Sequence, residues 1–340
     1  MADQAKKHLI VVGACYLDTI LRNAPPTVVP FFPSEDSKLR ATSLSIRRGG
    51  NCPNSLEVLE QLFVDHDALQ LHLVSPLPNA SSSATRRIIS SFGPESNINF
   101  HHCIYRDAST EAASSYIIRS EESGSRTLVN YNDLPEMTRD EFEPIARSFD
   151  PDQETWWHFE GRIPDTTLKC IRLLRNVLPS AQISVEVEKP GREGLSELAA
   201  EADVVFYSRS WAESRGHQSP EACLRAEGHR KAYVESEIVS LALWRSQRRH
   251  IRGRHKSTVA GTATTDHCPR YSAVGAGDTF IAGMLYGLLC HPGDWSTGEK
   301  LGFAVRLATL KVQREGFAGL GADMLGTWMR SSARLVSSAA

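Results

Sequence analysis

The sequence predicts an α/β protein in which a parallel, doubly wound sheet carries helices on both faces and a small β-sheet lid lies beside it. Two observations predict this architecture. Short apolar, strand-like runs alternate with stretches of helical spacing along most of the chain, as in folds built from strand–helix–strand units. Strand-rich pieces at about 14–48 and 112–131 interrupt that alternation, so we assign them to the lid.

The alternation is visible when the elements are taken in chain order. Residues 9–13 form an apolar run closed by a glycine, which is typical of a buried strand. A helix is predicted over 54–63, just after Gly49-Gly50-Asn51, because apolar side chains recur there at helical spacing. Further helices are predicted over 84–92, 166–177 and 195–200, and further strands over 114–118, 126–131, 156–159, 183–187 and 204–207.

The composition excludes several classes of protein. The 340 residues carry 38 basic and 40 acidic side chains, so the chain lacks the positive charge of a general nucleic-acid binder. No apolar run approaches the ~20 residues that cross a bilayer, and no signal-peptide segment follows the first basic residues. The seven scattered cysteines form no Cys-x-x-Cys pair, which argues against a disulfide scaffold or a structural zinc site. We therefore expect a soluble, cytoplasmic protein.

The strongest local signal is Gly275-Ala276-Gly277-Asp278, which opens a stretch with apolar residues on one helical face. Two glycines at a helix start allow backbone N–H groups to converge on an anion, and the helix dipole favours negative charge there. A carboxylate beside a phosphate site is electrostatically unfavourable unless it has a role in the reaction. We predict that Asp278 acts as the general base on the attacking hydroxyl. The alternative is that Asp278 caps the helix and the glycines form only a tight turn.

A second candidate site is the segment RRGGNCPNS at 47–55. Gly50 allows close approach of a ligand, and the amides of Asn51 and Asn54 can point the same way from a helix start. Each amide both donates and accepts hydrogen bonds, which suits a polyhydroxylated ligand. A glycine turn with a capping Asn54 is the alternative. Asp18 follows the first strand at its carboxyl end, where ligands of open α/β sheets gather, although a surface turn also explains it.

Residues 238–265 fit the α/β pattern badly. They contain no acidic residue, and six basic side chains crowd positions 245–256. A basic surface loop and a nucleic-acid patch are both possible interpretations. The aromatic interleaving of a single-strand binding platform is missing, so the sequence does not favour nucleic acid as a partner.

Taken in order, these segments resemble the ribokinase-like (phosphofructokinase-B type) carbohydrate kinase family, and most closely its ketohexokinase branch. The segments that carry the resemblance are residues 9–18, SEDSKLR (34–40), RRGGNCPNS (47–55), SGSRTLV (123–129), HFEGR (158–162), SVEVEKP (184–190), ADVVFYS (202–208), GHQSPEACLR (216–225), GAGDTF (275–280) and REGFAGL (314–320). HFEGR and SVEVEKP are far more specific than the glycine motifs. The resemblance covers most of residues 8–320.

The resemblance implies an enzyme that uses ATP and Mg2+, with K+ as a further candidate cation, to phosphorylate fructose on its C1 hydroxyl. It implies a three-layer α/β/α domain over 8–330 with the β-sheet lid, a tail over 331–340, and a homodimer that clasps through the lids. The implied sugar-binding residues are Asp18, Asp36, Gly50, Asn51 and Asn54, with Asp36 reaching the sugar of the partner subunit. The implied residues on the nucleotide and metal side are Arg126, Glu160, Arg162, Glu186 and Glu188. Gly275, Ala276 and Gly277 would form the anion hole, and Asp278 would be the catalytic base.

Two departures from the family pattern leave alternatives open. Ser272-Ala273 stand where relatives carry Asp-Thr, and the resemblance is lost over 236–272, where relatives have an apolar strand, a nucleotide-contacting turn and a hairpin. An acid-free, arginine-rich stretch between close matches is what translation in a wrong reading frame produces; a genuine divergent loop is the alternative. Because burying unpaired arginines is prohibitive, we expect 236–265 to stay outside the sheet as a loop.

Two other functions compete with an active fructose kinase. One is a non-catalytic sugar-binding descendant, which the altered segment at 236–272 favours because the nucleotide side would be damaged. The other is the same chemistry on ribose, adenosine or another ketose.

Overall fold

The protein is represented by a computed structural model that describes residues 6–22, 35–36, 38, 41, 43–63, 69–119, 126–230, 240–242 and 274–337. The strands are β1 (Lys7–Val12), β2 (Tyr16–Arg22), β3 (Ser43–Gly49), β4 (Leu69–Val74), β5 (Pro76–Pro78), β6 (Ile104–Arg106), β7 (Ser114–Arg119), β8 (Arg126–Tyr131), β9 (Thr155–Phe159), β10 (Gln182–Val187), β11 (Val204–Tyr207) and β12 (Ser240–Ala242). The helices are α1 (Asn51–Leu62), α2 (Ser83–Ser90), α3 (Arg139–Ala146), α4 (Pro164–Val177), α5 (Leu195–Glu201), α6 (Arg209–Ser214), α7 (Pro220–Arg230), α8 (Ala276–Cys290), α9 (Thr297–Val312) and α10 (Leu320–Ser337).

The main sheet is parallel and is buried on both faces, as the sequence predicts. Its strand order is β12-β11-β10-β9-β1-β4. Successive residues of β1 point to opposite faces: Leu9 and Val11 enter one apolar cluster, whereas Ile10 and Val12 enter the other. Helices α1, α8, α9 and α10 cover the first face, and α3 to α7 cover the second. The three-layer α/β/α fold is therefore confirmed.

A second sheet of four strands, in the order β3-β2-β7-β8, comes from the two segments that the sequence assigns to the lid. Pairing is antiparallel between β2 and β3, parallel between β2 and β7, and antiparallel between β7 and β8. Ile46, Thr19, Tyr116 and Val129 lie opposite one another in register, so their side chains share one face. Ile46, Tyr116 and Val129 are 40%, 50% and 63% exposed, which leaves this face with an apolar surface open to solvent.

Local sequence signals explain where several helices begin. Ser82 accepts a hydrogen bond from the backbone N–H of Thr85 at the start of α2. Reciprocal capping boxes join Thr138 to Glu141 at α3 and Ser296 to Glu299 at α9. The sequence analysis did not identify α3, although its Thr-x-x-Glu spacing is the signal that could have found it. None of the helices in the described ranges is long and apolar enough to span a membrane.

Two expectations about the chain need correction. Residues 240–242 form β12 and pair in parallel with β11, so the expectation that 236–265 stays outside the sheet is wrong for these three residues. They precede the first arginine of the basic segment, so their pairing does not bury that charge. The remainder of 236–272, together with Ser272 and Ala273, lies outside the described residues. Helix α10 also continues to Ser337, beyond residue 330, where we predicted a tail.

Candidate active site

The carboxyl ends of neighbouring parallel strands bring polar residues to one edge of the main sheet. Gly13 follows β1, Glu160 follows β9, and Ser208 follows β11. Glu186 is the penultimate residue of β10, and Glu188 follows that strand. Because ligands of open α/β sheets bind beyond these strand ends, this edge is the candidate site.

The start of α1 places Asn51 over the β10 carboxylates. Its Nδ2 atom donates to Glu186 Oε2 at 2.8 Å and to Glu188 Oε2 at 3.2 Å. Gly50 precedes the helix with a φ of 108°, and a Cβ atom there would overlap the carbonyl oxygen of Ala14. Only glycine adopts this φ without strain and also leaves room for the Ala14 oxygen. Gly50 therefore allows α1 to begin directly against the residues that follow β1.

Asp278 lies in the first turn of α8, as predicted, but it does not cap that helix. Gly275 occupies the N-cap position with a φ of 79°, and no side chain caps the helix. The Asp278 carboxylate instead accepts a hydrogen bond from Asn54 Nδ2 at 2.7 Å, and its backbone carbonyl accepts one from Ser55 Oγ at 3.0 Å. The helix-cap alternative is therefore wrong, and the carboxylate is held by α1.

A buried arginine that the sequence analysis did not single out fixes the orientation of Asn54. Arg48 Nη1 donates to Asn54 Oδ1 at 3.1 Å. An arginine has only donors, so the amide oxygen must face it, and the amide nitrogen must then face Asp278. Arg48 is ion-paired with Glu57, and its guanidinium lies 4.1 Å from the centroid of the Phe92 ring. With both ends of its amide engaged, Asn54 acts in this structure on the carboxylate rather than on the cavity.

Five of the predicted site residues line one cavity of about 400 Å³. These residues are Asn51, Glu186, Glu188, Gly277 and Asp278. Further lining residues come from the end of β11 and the start of α6 and include Phe206, Tyr207 and Ser208. The cavity thus joins an amide, four carboxyl groups, one of them Glu213, the guanidinium of Arg209 and the start of α8, which is an arrangement that can bind a polyhydroxylated ligand beside an anion.

The carboxyl groups around the cavity hold protons unusually tightly. Desolvation, aided by Glu186, raises the pKa of Asp278 to about 8. Desolvation also raises the pKa of Glu186 to about 8, although the hydrogen bond from Asn51 opposes the rise. The pKa of Glu160 rises to about 7, again chiefly by desolvation, with Glu186 as the next cause. Groups shifted toward neutral pH in a cleft are typical of catalytic sites.

These shifts predict that the ligand-free protein loses stability as the pH rises from about 6 to about 8, within the interval between the unfolded and folded pKa values. In the unfolded chain the same carboxyl groups have pKa values near 4, so only the folded state binds their protons in this window. Deprotonation therefore favours unfolding, and the melting temperature should fall. Thermal unfolding at a series of pH values measures this fall, and Glu186→Gln should flatten it. A wild-type melting temperature that rises over the same window would contradict the assignment.

Glu186 also contacts a second set of buried residues, and the sequence did not predict that they are its partners. His158 is fully buried; its Nε2 atom lies 3.1 Å from Glu186 Oε1, and its Nδ1 atom lies 2.8 Å from Ser184 Oγ. The same Ser184 oxygen accepts a hydrogen bond from Trp156 Nε1 at 2.8 Å. Because burial lowers the pKa of His158 to about 3, the imidazole is neutral at physiological pH.

Two other predicted site residues, Glu160 and Arg162, have partners outside the set of cavity-lining residues. Glu160 accepts a hydrogen bond from the backbone N–H of Ala14 at 2.9 Å, and Arg162 binds Glu136 and the Tyr16 hydroxyl. Neither Glu160 nor Arg162 is among the cavity-lining residues, so their predicted nucleotide contacts stay predictions.

Three further predicted residues belong to the lid segments. The carboxylate of Asp18 lies against Gly49, where a Cβ atom would overlap it. Asp36 is exposed in a turn, with a φ of 59°. Arg126 is the first residue of β8, and its side chain lies outside the described part of the chain. Asp18 and Asp36 are therefore not among the residues that line the cavity, and the predicted role of Arg126 stays a prediction.

Lys311, on α9, places a buried positive charge beside the start of α8. Its Cε atom is 3.5 Å from the position that a Cβ atom would take at Gly275, and its Nζ atom lies over the ring of Phe317. The lysine is 2% exposed and donates to the carbonyl of Arg314 at 3.4 Å. Lys311 was not predictable from the sequence, because no motif connects it with the glycines.

Comparisons with known proteins agree with this geometry. Residues 6–320 match the family described as pfkB family carbohydrate kinase. Mouse ketohexokinase is 28% identical over 323 residues, which cover 93% of this chain and 99% of that protein.

Solved structures show the same fold at lower identity. Ribokinase from Giardia lamblia has a TM-score of 0.69 at 14% identity, covering 95% of this chain and 99% of that one. Arabidopsis thaliana ribokinase, solved with ribose and ATP, has a TM-score of 0.65 at 15% identity, covering 94% and 97% of the two chains. The fold is thus ribokinase-like. The chain belongs to the pfkB family of carbohydrate kinases, and its activity is the ATP-dependent phosphorylation of a sugar.

Proposed function

We propose that this kinase phosphorylates fructose on the C1 hydroxyl and that Asp278 is the general base. The observation that carries the proposal is the position of Asp278. Its carboxylate lines the cavity at the start of α8, and Asn54 holds one of its oxygens at 2.7 Å. In this reaction the base takes the hydroxyl proton, the sugar oxygen bonds to the γ-phosphorus of ATP, and ADP leaves.

The remaining catalytic work is positioning and charge stabilisation. The backbone N–H groups of Gly275, Ala276 and Gly277 belong to the first turn of α8 and its cap, where intrahelical acceptors are absent. We infer that they bind phosphoryl oxygens as an anion hole. Asn51, which also lines the cavity, is proposed to hold sugar hydroxyls. Alignment of donor and acceptor then supplies most of the acceleration.

The residues present also fit the Mg2+ that accompanies ATP. Glu186 and Glu188 both line the cavity, and one amide nitrogen contacts both of them, so the two carboxylates lie side by side. Carboxylate and water oxygens are the ligands that Mg2+ prefers. We propose that these two residues order waters of the ion. When bound, Mg2+ neutralises the charge of the phosphates.

The similarity to mouse ketohexokinase over nearly the full chain supports fructose as the substrate. A coupled assay with MgATP and a panel of fructose, other ketoses, ribose and adenosine tests the assignment, and NMR of the product locates the phosphate. We expect the highest kcat/KM with fructose and phosphorylation at C1. A higher kcat/KM with ribose or adenosine would overturn fructose while keeping the kinase chemistry. Sugar binding without ATP turnover would support the non-catalytic alternative.

Asn51→Ala should weaken fructose binding while leaving ATP binding nearly unchanged. An amide that holds sugar hydroxyls in a desolvated site contributes roughly 1–3 kcal/mol, which corresponds to about 5- to 150-fold in affinity. Separate calorimetric titrations of fructose and ATP measure the two losses. Asn97→Ala, at an exposed position after α2, is the matched control. Equal losses for both ligands would mean that the substitution disturbs the fold around Gly50.

We also propose that two chains form a dimer through the exposed face of the four-stranded sheet. The apolar side chains that share this face include Ile46, Tyr116 and Val129, and such a patch is rarely left open in a monomer. Replacing Ile46 and Val129 together by lysine should convert the dimer to a monomer in analytical ultracentrifugation. Leu128→Lys lies on the other face of β8 and is the control. A wild-type chain that sediments as a monomer would refute the proposal.

A further inference from the structure

Three buried residues next to the cavity bring three different ligand types together. Cys52 comes from α1, His158 from β9 and Glu186 from β10. One potential ligand atom from each residue lies within 4.8 Å of the other two. His158 Nε2 and Glu186 Oε1 are 3.1 Å apart, close to the ~3.3 Å between two ligands of a tetrahedral ion with bonds of about 2 Å.

The donor set distinguishes this cluster from a magnesium site. A thiolate sulfur, an imidazole nitrogen and a carboxylate oxygen are the ligands of zinc, whereas Mg2+ selects oxygen. Three protein ligands also leave the fourth tetrahedral position for water, as in open zinc sites. The lack of a Cys-x-x-Cys pair argued against a structural zinc site, but the ligands proposed here come from three separate elements and need no such pair.

Each of two candidate ligands already has a partner that would hold it toward an ion. Ser184 Oγ lies 2.8 Å from His158 Nδ1, on the side of the ring away from Glu186. Asn51 Nδ2 donates at 2.8 Å to Glu186 Oε2, the oxygen that does not contact His158. Such outer hydrogen bonds orient ligands in metal sites.

The surroundings favour a cation that arrives through the cavity. Glu186 lines the cavity, and the carboxyl groups of Glu160 and Asp278 both act electrostatically on the Cys52 thiol. The hydrogen bonds of the Glu186 side chain go to Asn51 and His158, neither of which carries a positive charge at neutral pH. A divalent ion would therefore stabilise the ionised forms of these acids.

We propose that Cys52, His158 and Glu186 bind one thiophilic divalent cation, such as Zn2+ or Cd2+, and that its binding inhibits the kinase. On binding, the Cys52 thiol releases its proton to solvent and its sulfur bonds to the metal. The His158 ring proton transfers to Nδ1, which then donates to Ser184, and Nε2 bonds to the metal. The proton that Glu186 holds is released to solvent, and the resulting carboxylate turns from His158 to the metal. No oxidation or reduction is involved.

Inhibition follows from the contacts of Glu186, and this part of the inference rests on the proposed function. The metal recruits a carboxylate that holds Asn51, the residue proposed to bind the sugar. It also adds positive charge near Asp278, which makes that carboxylate a weaker base. Mg2+ should not occupy the Cys52 position itself, because it binds thiolate poorly.

Cobalt titration of the full-length protein tests metal binding without any activity measurement. Co2+ bound to a thiolate produces a charge-transfer absorption in the near ultraviolet, and we expect it to saturate at one Co2+ per chain and to disappear on adding Zn2+. Cys52→Ala should abolish the band, whereas Cys170→Ala, which removes a buried thiol of α4, should retain it. Ser184→Ala should weaken Co2+ binding about 10- to 100-fold, the usual cost of losing an outer partner.

Measurements of kinase inhibition by Zn2+ use the same variants. Zn2+ should inhibit the wild type and Cys170→Ala alike, while Cys52→Ala should keep its basal activity and resist Zn2+ by at least about 100-fold in concentration. A cobalt band that persists in Cys52→Ala, or no band at all in the folded wild type, overturns the site. A band without Zn2+ inhibition retains the metal site and overturns only its inhibitory role. An inactive wild type with the band intact rejects the proposed function and leaves the metal site standing.

Discussion

The Asp278→Asn variant is expected to fold normally and to lose at least about 100-fold in kcat, the lower range for removal of a general base. The fold should survive because asparagine keeps an oxygen that can accept the hydrogen bond of Asn54 Nδ2. The reaction should slow because an amide cannot take the hydroxyl proton. Steady-state kinetics with MgATP and fructose, together with the melting temperature, measure the two effects.

Asp165→Asn is the matched control, because Asp165 also lies in the first turn of a helix, α4, on the other face of the sheet. It should leave kcat unchanged. Near-normal turnover by purified Asp278→Asn would remove this residue from the mechanism. Because the pKa of Asp278 is raised to about 8, the rate of the wild type should also fall as the pH drops below that value and the base becomes protonated.

Arg48→Met is expected to have the second largest effect, on both stability and catalysis. The Arg48 side chain is 3% exposed and is ion-paired with Glu57, and breaking a buried pair by removing one partner costs about 3–5 kcal/mol. Without the Arg48 donor, the amide of Asn54 is no longer held with its oxygen away from Asp278. The hydrogen bond that lowers the pKa of Asp278 should then weaken, and the acidic limb of the rate profile should move to higher pH.

The double variant Arg48→Met with Glu57→Gln separates the two roles. Removing the unpaired acid should recover part of the free energy of unfolding measured in urea, because no charge is left buried without a partner. It should not restore the position of the pH profile, because Asn54 still lacks its donor. A double variant that regains both stability and the wild-type pH profile would show that Arg48 only supports the fold.

Much of the fold could be predicted because its signals are local. The apolar run at 9–13 and the helical spacing at 54–63 identify β1 and α1 to within a few residues. The strand over 204–207 agrees with β11 at both ends. The helix α3 was missed although Phe142, Ile145 and Ala146 recur at helical spacing, because Pro144 lies inside it and proline is a signal against a helix. The pairing of β12 was missed because three residues are too few to outweigh the basic composition around them.

The candidate site was predictable where motif residues and chemistry coincide. Asn51, Glu186, Glu188, Gly277 and Asp278 meet at one cavity, and each belongs to a segment singled out in the sequence. Arg162 was assigned to the nucleotide side from the resemblance, whereas its guanidinium binds Glu136 and the Tyr16 hydroxyl. A charged side chain as long as arginine can reach several partners, so its role follows from its neighbours rather than from its motif.

The sequence by itself determined the alternation of strands and helices, the family, and the residues with catalytic chemistry, because periodicity and motifs are properties of neighbouring residues. Only the tertiary structure decided how those residues act on one another. Asn54 and Asp278 are separated by 224 positions, and the packing of α1 against α8 brings them into hydrogen-bond contact. The order of β9 and β10 in the sheet likewise places His158 against Glu186. Contacts between distant segments depend on strand order and helix packing, which no local pattern encodes.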